Sequence, residues 1–305
     1  MGSIDEAFRQ EPAKGPIWIH LGQRTELAID WLQQHSALDA ATLGSFVAEA
    51  RRPQVEVVNH DNVILVIRTP SLEGAASTEV GQHTRIWLSP LRVITIVEGH
   101  HAIFDDCAQQ IESGSGPRTV AEWLERLMDN VIRRAEMALL QSDGEMTDLE
   151  LDQDKGAVIP VERPRAVRLR ATLVRRAMMP YRESLVRLKH LRMSWLNDPS
   201  RAVWDSLVDD ATEVMEELGG LLERSRIAKE AVRDQLAINL NQRVYVLTLV
   251  SGIVLPLTFL TGLLGVNLGG IPGARNEWGF ADFCVLLAVV GLFQYFAFRR
   301  MRWWG

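Results

Sequence analysis

Two long stretches of this sequence carry no charged side chain, and they constrain the fold more than any other feature. Residues 244–274 and residues 283–298 contain no Asp, Glu, Lys, Arg or His. Each stretch can supply the roughly 17–25 mostly apolar residues that a helix needs to cross the hydrocarbon core of a bilayer. The averages for the whole chain, 47% hydrophobic and 24% charged, hide this unevenness. We therefore expect a membrane protein with two spans and a large water-soluble part.

Basic residues flank the two spans and are sparse between them. Arg243 precedes the first span and Arg299 follows the second, whereas the connecting loop contains Arg275, Glu277 and Asp282. Because basic residues concentrate on the cytoplasmic side of membrane proteins, we expect both termini in the cytoplasm. The polar N-terminus lacks an apolar core, so we do not expect it to act as a secretory signal. The two cysteines lie far apart in the sequence, which is typical of a reducing compartment.

Residues 1–117 show the alternation of strands and helices that is typical of an α/β domain. Residues 55–68 are two β-rich runs around a His-Asp-Asn turn, and residues 84–99 repeat that pattern around Ser-Pro, so we expect two hairpins. Residues 25–35 and 40–50 carry apolar side chains three and four positions apart, which predicts helices packed on a small sheet.

Beyond this domain the periodicity is helical. Residues 118–199 predict two long charged helices, broken near Gly156. Residues 200–243 then predict a stalk helix that continues into the first span at 244–264. These segments total about 65 residues and would be roughly 95 Å long at the helical rise of 1.5 Å per residue. Such a helix needs partners, and two spans per chain enclose little of a pore, so we expect a homo-oligomer.

The break after the first span carries the strongest resemblance to a known family. Residues 241–267, NQRVYVLTLVSGIVLPLTFLTGLLGVN, resemble the CorA family of divalent metal ion transporters, and within it the zinc transporter (ZntB) branch. In that family a stalk-to-membrane helix with a Pro-Leu-Thr-Phe segment ends in Gly-Met-Asn or Gly-Val-Asn. The remaining family elements map to an extracytoplasmic loop at 265–281, a second span at 282–298 and a basic cytoplasmic tail at 299–305.

The resemblance implies an α+β membrane protein that assembles as a homopentameric funnel in the bacterial inner membrane. The first spans would line a central pore, and the second spans would pack outside them. The expected partners are divalent metal ions, the bilayer and further copies of the chain, with protons added if uptake is proton-coupled. No nucleic-acid partner and no resident cofactor are expected, because Zn²⁺ would be the transported substrate. Import versus export, and passive flow versus proton coupling, both stay open.

The same resemblance assigns a selectivity filter to Gly265, Val266 and Asn267. Five Asn267 carboxamides would hydrogen-bond the hydration shell of an entering cation without holding it as tightly as carboxylates would. The other two residues would position that asparagine by backbone shape. The alternative is an ordinary helix end, because Gly and Asn both tolerate left-handed backbone angles.

The family's pore-lining positions fall on one face of the first span. Asn241 and Thr258 would supply neutral oxygens, whereas Leu247 and Leu255 would form hydrophobic constrictions that gate by dewetting. The alternative for the leucines is packing between helices or against lipid. Gly262 is the remaining pore-lining position, and its alternative role is close helix packing.

Acidic residues outside the span suggest two further cation sites. Glu230 and Asp234 stand four apart on the stalk, where clustered carboxylates attract divalent cations; a solvated charged face is the alternative. Glu277 in the loop is the acid best placed to draw cations toward the pore mouth, since five copies would create a negative field.

His100, His101 and Cys107 are the one tight group of side chains that zinc prefers, although their spacing is not a recognised ligand pattern. The alternative is a helix N-terminus with exposed histidines. Residues 241–267 contain neither Cys nor His, which favours a hydrated or weakly bound ion over a series of tight zinc sites.

Two other functional classes compete with zinc transport. The first keeps the same architecture but moves magnesium, cobalt or nickel, which nothing in the pore-lining residues excludes. The second is a membrane-anchored sensor or scaffold that conducts no ion. We do not expect an enzyme, because the sequence has no phosphate loop, nucleophile elbow or metalloprotease motif.

Overall fold

A computed structural model describes residues 15–22, 24–36, 38–48, 53–69, 82–97, 102–196, 200–265 and 277–300, which form five strands and seven helices. The strands are β1 (Ile17–Leu21), β2 (Gln54–Val57), β3 (Val63–Thr69), β4 (Gln82–Leu88) and β5 (Arg92–Val97). The helices are α1 (Glu26–His35), α2 (Ala40–Val47), α3 (Ala102–Glu112), α4 (Val120–Asp154), α5 (Glu162–His190), α6 (Ser200–Leu264) and α7 (Gly279–Arg300). The chain divides into two compact units, residues 1–230 and residues 231–305.

The first unit contains a mixed sheet with the strand order β1-β5-β4-β3-β2. Strands β2 to β5 form an antiparallel meander, and β1 pairs in parallel with β5, with Ile17 opposite Arg92. Both predicted hairpins are confirmed. In the first, the Asn59 side-chain oxygen accepts hydrogen bonds from the backbone N–H groups of Asp61 (3.1 Å) and Asn62 (3.0 Å), a turn that asparagine favours.

Both faces of the sheet are covered by helices. On one face, Ile64, Trp87 and Ile94 belong to a core that includes Leu32 of α1 and Phe46 of α2. On the other face, α5 packs against β2 and β3. Because successive strand residues point to opposite faces, the residues that alternate with the first set form the second core. They are buried as well: Val63, Leu65, Ile67, Ile86, Leu88 and Val93.

The predicted pair of long charged helices is confirmed as α4 and α5, which pack against each other. Thr119 begins α4 by accepting a hydrogen bond from the Glu122 backbone N–H at 3.1 Å. Gly156 follows the end of α4 with a φ of 72°, a left-handed angle that glycine adopts without strain. Between the two helices, the buried Tyr181 hydroxyl donates to the Met128 carbonyl at 2.6 Å.

The helix predicted over 200–264 is continuous, but its first half is not a bare stalk. It buries an apolar stripe at intervals of three and four residues within the first unit. The buried residues of that stripe are Trp204, Leu207, Ala211, Val214, Leu218 and Leu221. The Arg224 guanidinium donates to Glu150 at 2.6 Å and also bonds Asp143, both in α4. The partners expected for this helix are therefore supplied in part by its own chain.

The second unit consists of the end of α6 together with α7. Each is long and apolar enough to cross a membrane, with a mean hydropathy of 2.1 and 1.9 over its most apolar window, and none of either window is buried. The helix α7 covers Gly279–Arg300 and so extends beyond both ends of the span predicted at 282–298. The bounds of the span itself stay a prediction.

Candidate ion pathway

The membrane part of α6 has one side that no other part of the second unit covers. Asn241, Leu247, Leu255, Thr258 and Gly262 are all exposed. At about 100° per residue, these five positions fall within an arc of about 120° around the helix axis. We call this arc the open side of α6. The sequence-predicted pore-lining residues therefore share one helical face, and their assignment to a pore stays a prediction.

The opposite side of α6 carries four half-buried aliphatic residues. These are Leu249, Ile253, Leu257 and Leu260, at intervals of four, four and three, and we call this the contact side. Between the two sides, Gly252 meets α7, where the Gln294 side-chain amide donates to the Gly252 carbonyl at 3.5 Å. A Cβ on Gly252 would lie 2.9 Å from the ring of Phe298, so the glycine permits this approach. The hydrogen bond to α7 thus lies next to the open side and involves none of its five positions.

The end of α6 is built around Gly265. Its backbone N–H donates to the Thr261 carbonyl at 2.9 Å, which closes the last helical turn. A Cβ on Gly265 would lie 2.8 Å from that same carbonyl oxygen, closer than real side chains approach a backbone atom. Glycine is therefore required here by close approach. The other two predicted filter residues, Val266 and Asn267, lie outside the described residues.

Neutral groups alone line this segment. Residues 244–264 contain no charged side chain. The hydroxyls of Thr248 and Thr261 donate to carbonyls of their own helix, at 2.8 Å to Val244 and 2.9 Å to Thr258. Zinc is held tightly by Cys and His, and this segment has neither. The open side can therefore hydrogen-bond a hydrated cation but offers it no tight coordination.

The predicted acidic sites are solvent-exposed. Arg226 pairs with Glu223 at 2.7 Å and with Glu230 at 3.7 Å, so Glu230 is part of a charged row along its own helix. Asp234 is exposed on α6, and Glu277 is exposed in the turn that precedes α7. Within the part of the chain that the structure describes, no group of three or more His, Cys, Asp or Glu could hold a metal ion.

Of the weakly predicted zinc ligands, only Cys107 lies among the described residues, since His100 and His101 fall outside them. Cys107 is buried in α3, and burial raises the pKa of its thiol to about 11. Zinc binds the thiolate, which a raised pKa disfavours. The described geometry around Cys107 therefore gives the proposed ligand group no support.

Sequence reasoning missed two residues of this region. Ser251 is half-buried and falls within the arc of the open side, four residues before Leu255, so the helical spacing alone identifies it. Gln294 joins the two helices, and the signal for it was a lone amide in an otherwise apolar run. Polar side chains in such a run usually face another helix rather than lipid.

The chain thus combines a mixed α/β domain with two helices that are long and apolar enough to cross a membrane. Residues 13–300 match the family of CorA-like Mg²⁺ transporter proteins. The chain therefore belongs to this family of divalent cation transporters, whose members are not enzymes.

Individual relatives and solved structures agree with this membership. The chain is 28% identical to the divalent cation transporter CmaX of Pseudomonas aeruginosa over 94% of this chain and 87% of that protein. It is 27% identical to the zinc transport protein ZntB of Yersinia pseudotuberculosis over 95% of this chain and 89% of that protein. The solved structure of full-length CmaX superposes with a TM-score of 0.82 at 27% identity, covering 99% of this chain and 93% of that one.

The fold is also shared with a protein of lower sequence identity. The complete structure of the CorA magnesium transporter from Methanocaldococcus jannaschii has a TM-score of 0.78 over 93% of this chain and 90% of that one. Its sequence identity is 19%, so it supports the fold alone.

Proposed function

We propose that this chain transports divalent cations, zinc foremost, across the bacterial inner membrane through a homopentameric pore lined by the open side of α6. The observation that carries the proposal is the shared exposed face of Leu247, Leu255, Thr258 and Gly262, opposite the half-buried residues of the contact side. A helix that packs against one neighbour and leaves a stripe with hydroxyl, glycine and leucine positions uncovered is suited to face an aqueous path in an assembly.

The chemistry of the open side supports passage of a hydrated ion. Conduction requires binding that is favourable enough for entry and weak enough for release. Asn241 and Thr258 offer neutral oxygens, and Leu247 and Leu255 would narrow the path with apolar rings that gate by dewetting. Asn267 would meet the ion first, with Gly265 closing the helix just before it. Glu277 would attract cations to that end of the path.

Zinc is proposed as the main substrate because Gly-Val-Asn occupies residues 265–267, as in the zinc branch of the family. The similarity to the ZntB of Yersinia pseudotuberculosis supports the same choice. A magnesium, cobalt or nickel transporter of the same architecture is the second candidate. It is favoured by the family's description as Mg²⁺ transporters and by a neutral path that has no zinc-specific ligand.

The proposed assembly has five copies with both termini on the cytoplasmic side. Arg243 before the first span, together with Arg299 and Arg300 at the end of α7, supports that orientation. Native mass spectrometry of the protein in detergent tests the assembly, and a mass of five chains is expected. A monomer that still transports zinc would contradict the shared pore.

The transport proposal is tested with purified protein in liposomes, by comparing initial zinc and magnesium fluxes. Zinc flux should exceed that of protein-free liposomes and should be lost in an Asn267→Ala variant that keeps its oligomeric mass. Asn239→Ala is the matched control, because Asn239 is half-buried on the other side of the same helix. Flux of magnesium alone would refute the zinc assignment, and no flux of either ion would favour the sensor or scaffold. Zinc uptake driven by a pH gradient alone would show proton coupling.

A further inference from the structure

The contact between α6 and α7 coincides with the one proline in the membrane part of α6. Pro256 lies inside the helix, and proline has no backbone N–H to donate. In an α-helix, the N–H of residue 256 would bond the carbonyl four residues earlier, which is that of Gly252. The Gly252 carbonyl therefore loses its helical donor because of Pro256.

The Gln294 side chain supplies a donor to that same carbonyl. Its Nε2 lies 3.5 Å from the Gly252 oxygen. A carbonyl oxygen can only accept, so the side-chain amide must present its NH₂ group there. In hydrocarbon no water is available to satisfy a freed carbonyl, and prolines in membrane helices are tolerated where neighbouring groups do so. Gln294 is half-buried in α7, between helix turns that are otherwise apolar.

Two further observations indicate that this contact is a built one. Gly252 has no side chain, and a Cβ there would lie 2.9 Å from the Phe298 ring, so α7 can approach the freed carbonyl closely. The Gln294 Oε1 atom is buried and has no hydrogen-bond partner among the described residues. Burying an amide with only one half satisfied costs free energy, so the donor half must serve a purpose that an apolar residue could not.

We infer that Gln294 is a positioning residue for transport: its amide replaces the helical hydrogen bond removed by Pro256 and holds α6 against α7 next to that proline. This inference rests on the proposed function, because the segment beyond Pro256 carries Thr258 and Gly262 on the open side. The bond fixes the direction in which that segment leaves Gly252. Without it, the segment samples other orientations, and the polar groups of the open side no longer line up with those below the proline.

A double-mutant cycle tests this inference, because alanine at position 256 restores the N–H that the Gly252 carbonyl lacks. The four proteins are the unmodified chain, Gln294→Leu, Pro256→Ala and the double variant, all full-length. In the unmodified background, Gln294→Leu should lower the initial zinc flux in liposomes by about threefold or more, the factor expected for losing one interhelical hydrogen bond in a membrane. In the Pro256→Ala background the same substitution should change the flux by less than about 1.5-fold, since the carbonyl is already satisfied.

The melting temperature of the same four proteins in detergent gives a second readout. Gln294→Leu should lower it in the unmodified background and leave it unchanged in the Pro256→Ala background. Gln235→Leu is the matched control: Gln235 bonds Asn239 of its own helix at 3.4 Å and is exposed, so its removal should alter neither readout.

Each outcome decides a separate point. Equal effects of Gln294→Leu on melting in both backgrounds would overturn the bond to the Gly252 carbonyl. A coupled effect on melting with an unchanged flux in the Gln294→Leu protein would overturn the positioning role. If Pro256→Ala alone abolishes flux, the flux cycle cannot be read. The melting temperatures of the four proteins then test the hydrogen bond to the Gly252 carbonyl, and the flux of the Gln294→Leu protein tests the positioning role. If the unmodified protein moves no divalent cation, the proposed function and this positioning role both fail, while the melting cycle still decides the bond itself.

Discussion

The sheet of the first unit and the helix α7 use the same apolar residue types in opposite ways. In β3, Ile64, Leu65 and Val66 are 1%, 0% and 2% exposed. In α7, Val289 and Leu292 are each 57% exposed, and none of its described residues is buried. The sheet therefore removes its apolar surface from water by its own packing, whereas α7 leaves that task to its surroundings.

The difference indicates which interactions control each region. Tightly packed cores lose stability when a single side chain is shortened, because a cavity remains. Helices in lipid gain little from apolar burial against each other, since lipid tails are equally apolar. The association of such helices then depends on close approach, as at Gly252, and on a few hydrogen bonds, such as the one from Gln294 to the Gly252 carbonyl.

The largest effect is expected for one leucine substitution made in both regions. Leu65→Ala should lower the free energy of unfolding by about 2–5 kcal/mol, because it leaves a cavity between the sheet and its helices. Leu292→Ala should change it by less than about 0.5 kcal/mol, because no packed cavity forms at an exposed site. Both changes in unfolding free energy are measured by urea unfolding of the full chain in detergent, monitored by tryptophan fluorescence. Equal losses at the two positions would break the contrast.

A smaller effect is expected from removing one hydroxyl in each region. Tyr181→Phe deletes the buried hydrogen bond to the Met128 carbonyl and should cost about 1 kcal/mol of unfolding free energy. Tyr295 in α7 is 44% exposed, and Tyr295→Phe keeps its ring contact with Phe296, so this change at an exposed site should cost less than about 0.5 kcal/mol. The same urea titrations measure both variants. A larger loss at Tyr295 would mean that α7 is held by polar contacts as strongly as the long-helix core is.

The loss of stability expected to depend on pH, and the last in this order, is that from substituting Arg224. Its hydrogen bond holds the pKa of Glu150 below the ordinary value of 4.5. Because the pKa of Glu150 is lowered in the folded state, the pair with Arg224 contributes its full stabilisation above about pH 5. That stabilisation is lost as the pH falls through the lowered pKa. Arg224→Met should destabilise the protein by less than about 1 kcal/mol at pH 7, since the groups are partly exposed. The difference from the unmodified chain should shrink toward pH 3.

Arg133→Met is the control for that comparison. Arg133 pairs with Asp129 at 2.7 Å, so the ion pair lost in this variant lies within a single helix. Its melting temperature should follow that of the unmodified chain between pH 7 and pH 3. A gap between Arg224→Met and the unmodified chain that widens in acid would contradict the pairing with Glu150.

Local patterns made much of the fold predictable. The turn at Asn59–Asn62 and the break at Gly156 rest on residues whose backbone preferences are strong in any context. The parallel pairing of β1 with β5 could not be predicted, because it joins residues more than 70 positions apart and no local pattern encodes it. The buried stripe of α6 was also missed, since the overall polarity of the stalk concealed an apolar row that begins at Trp204.

The candidate pathway was predictable to a similar extent. The family resemblance supplied Leu255, Thr258 and Gly262 as pore-lining candidates, and helical spacing put them on one side, because a regular helix converts sequence intervals directly into angles. The α7 contact was not predictable, since it depends on where Gln294 meets the carbonyl freed by Pro256, four residues after Gly252. That meeting point is a property of tertiary packing and has no signature in either helix alone.

The central claim, that the open side of α6 lines an aqueous ion path, is tested most directly by cysteine accessibility. Thr258→Cys and Ile253→Cys, one on each side of the helix, are made in a Cys284→Ser background, where buried Cys107 stays protected by a pKa of about 11. A positively charged, membrane-impermeant thiol reagent should modify Thr258→Cys and block zinc flux in liposomes, and should leave Ile253→Cys unmodified. Modification of Ile253→Cys alone, or full zinc flux after modification of Thr258→Cys, would contradict the account.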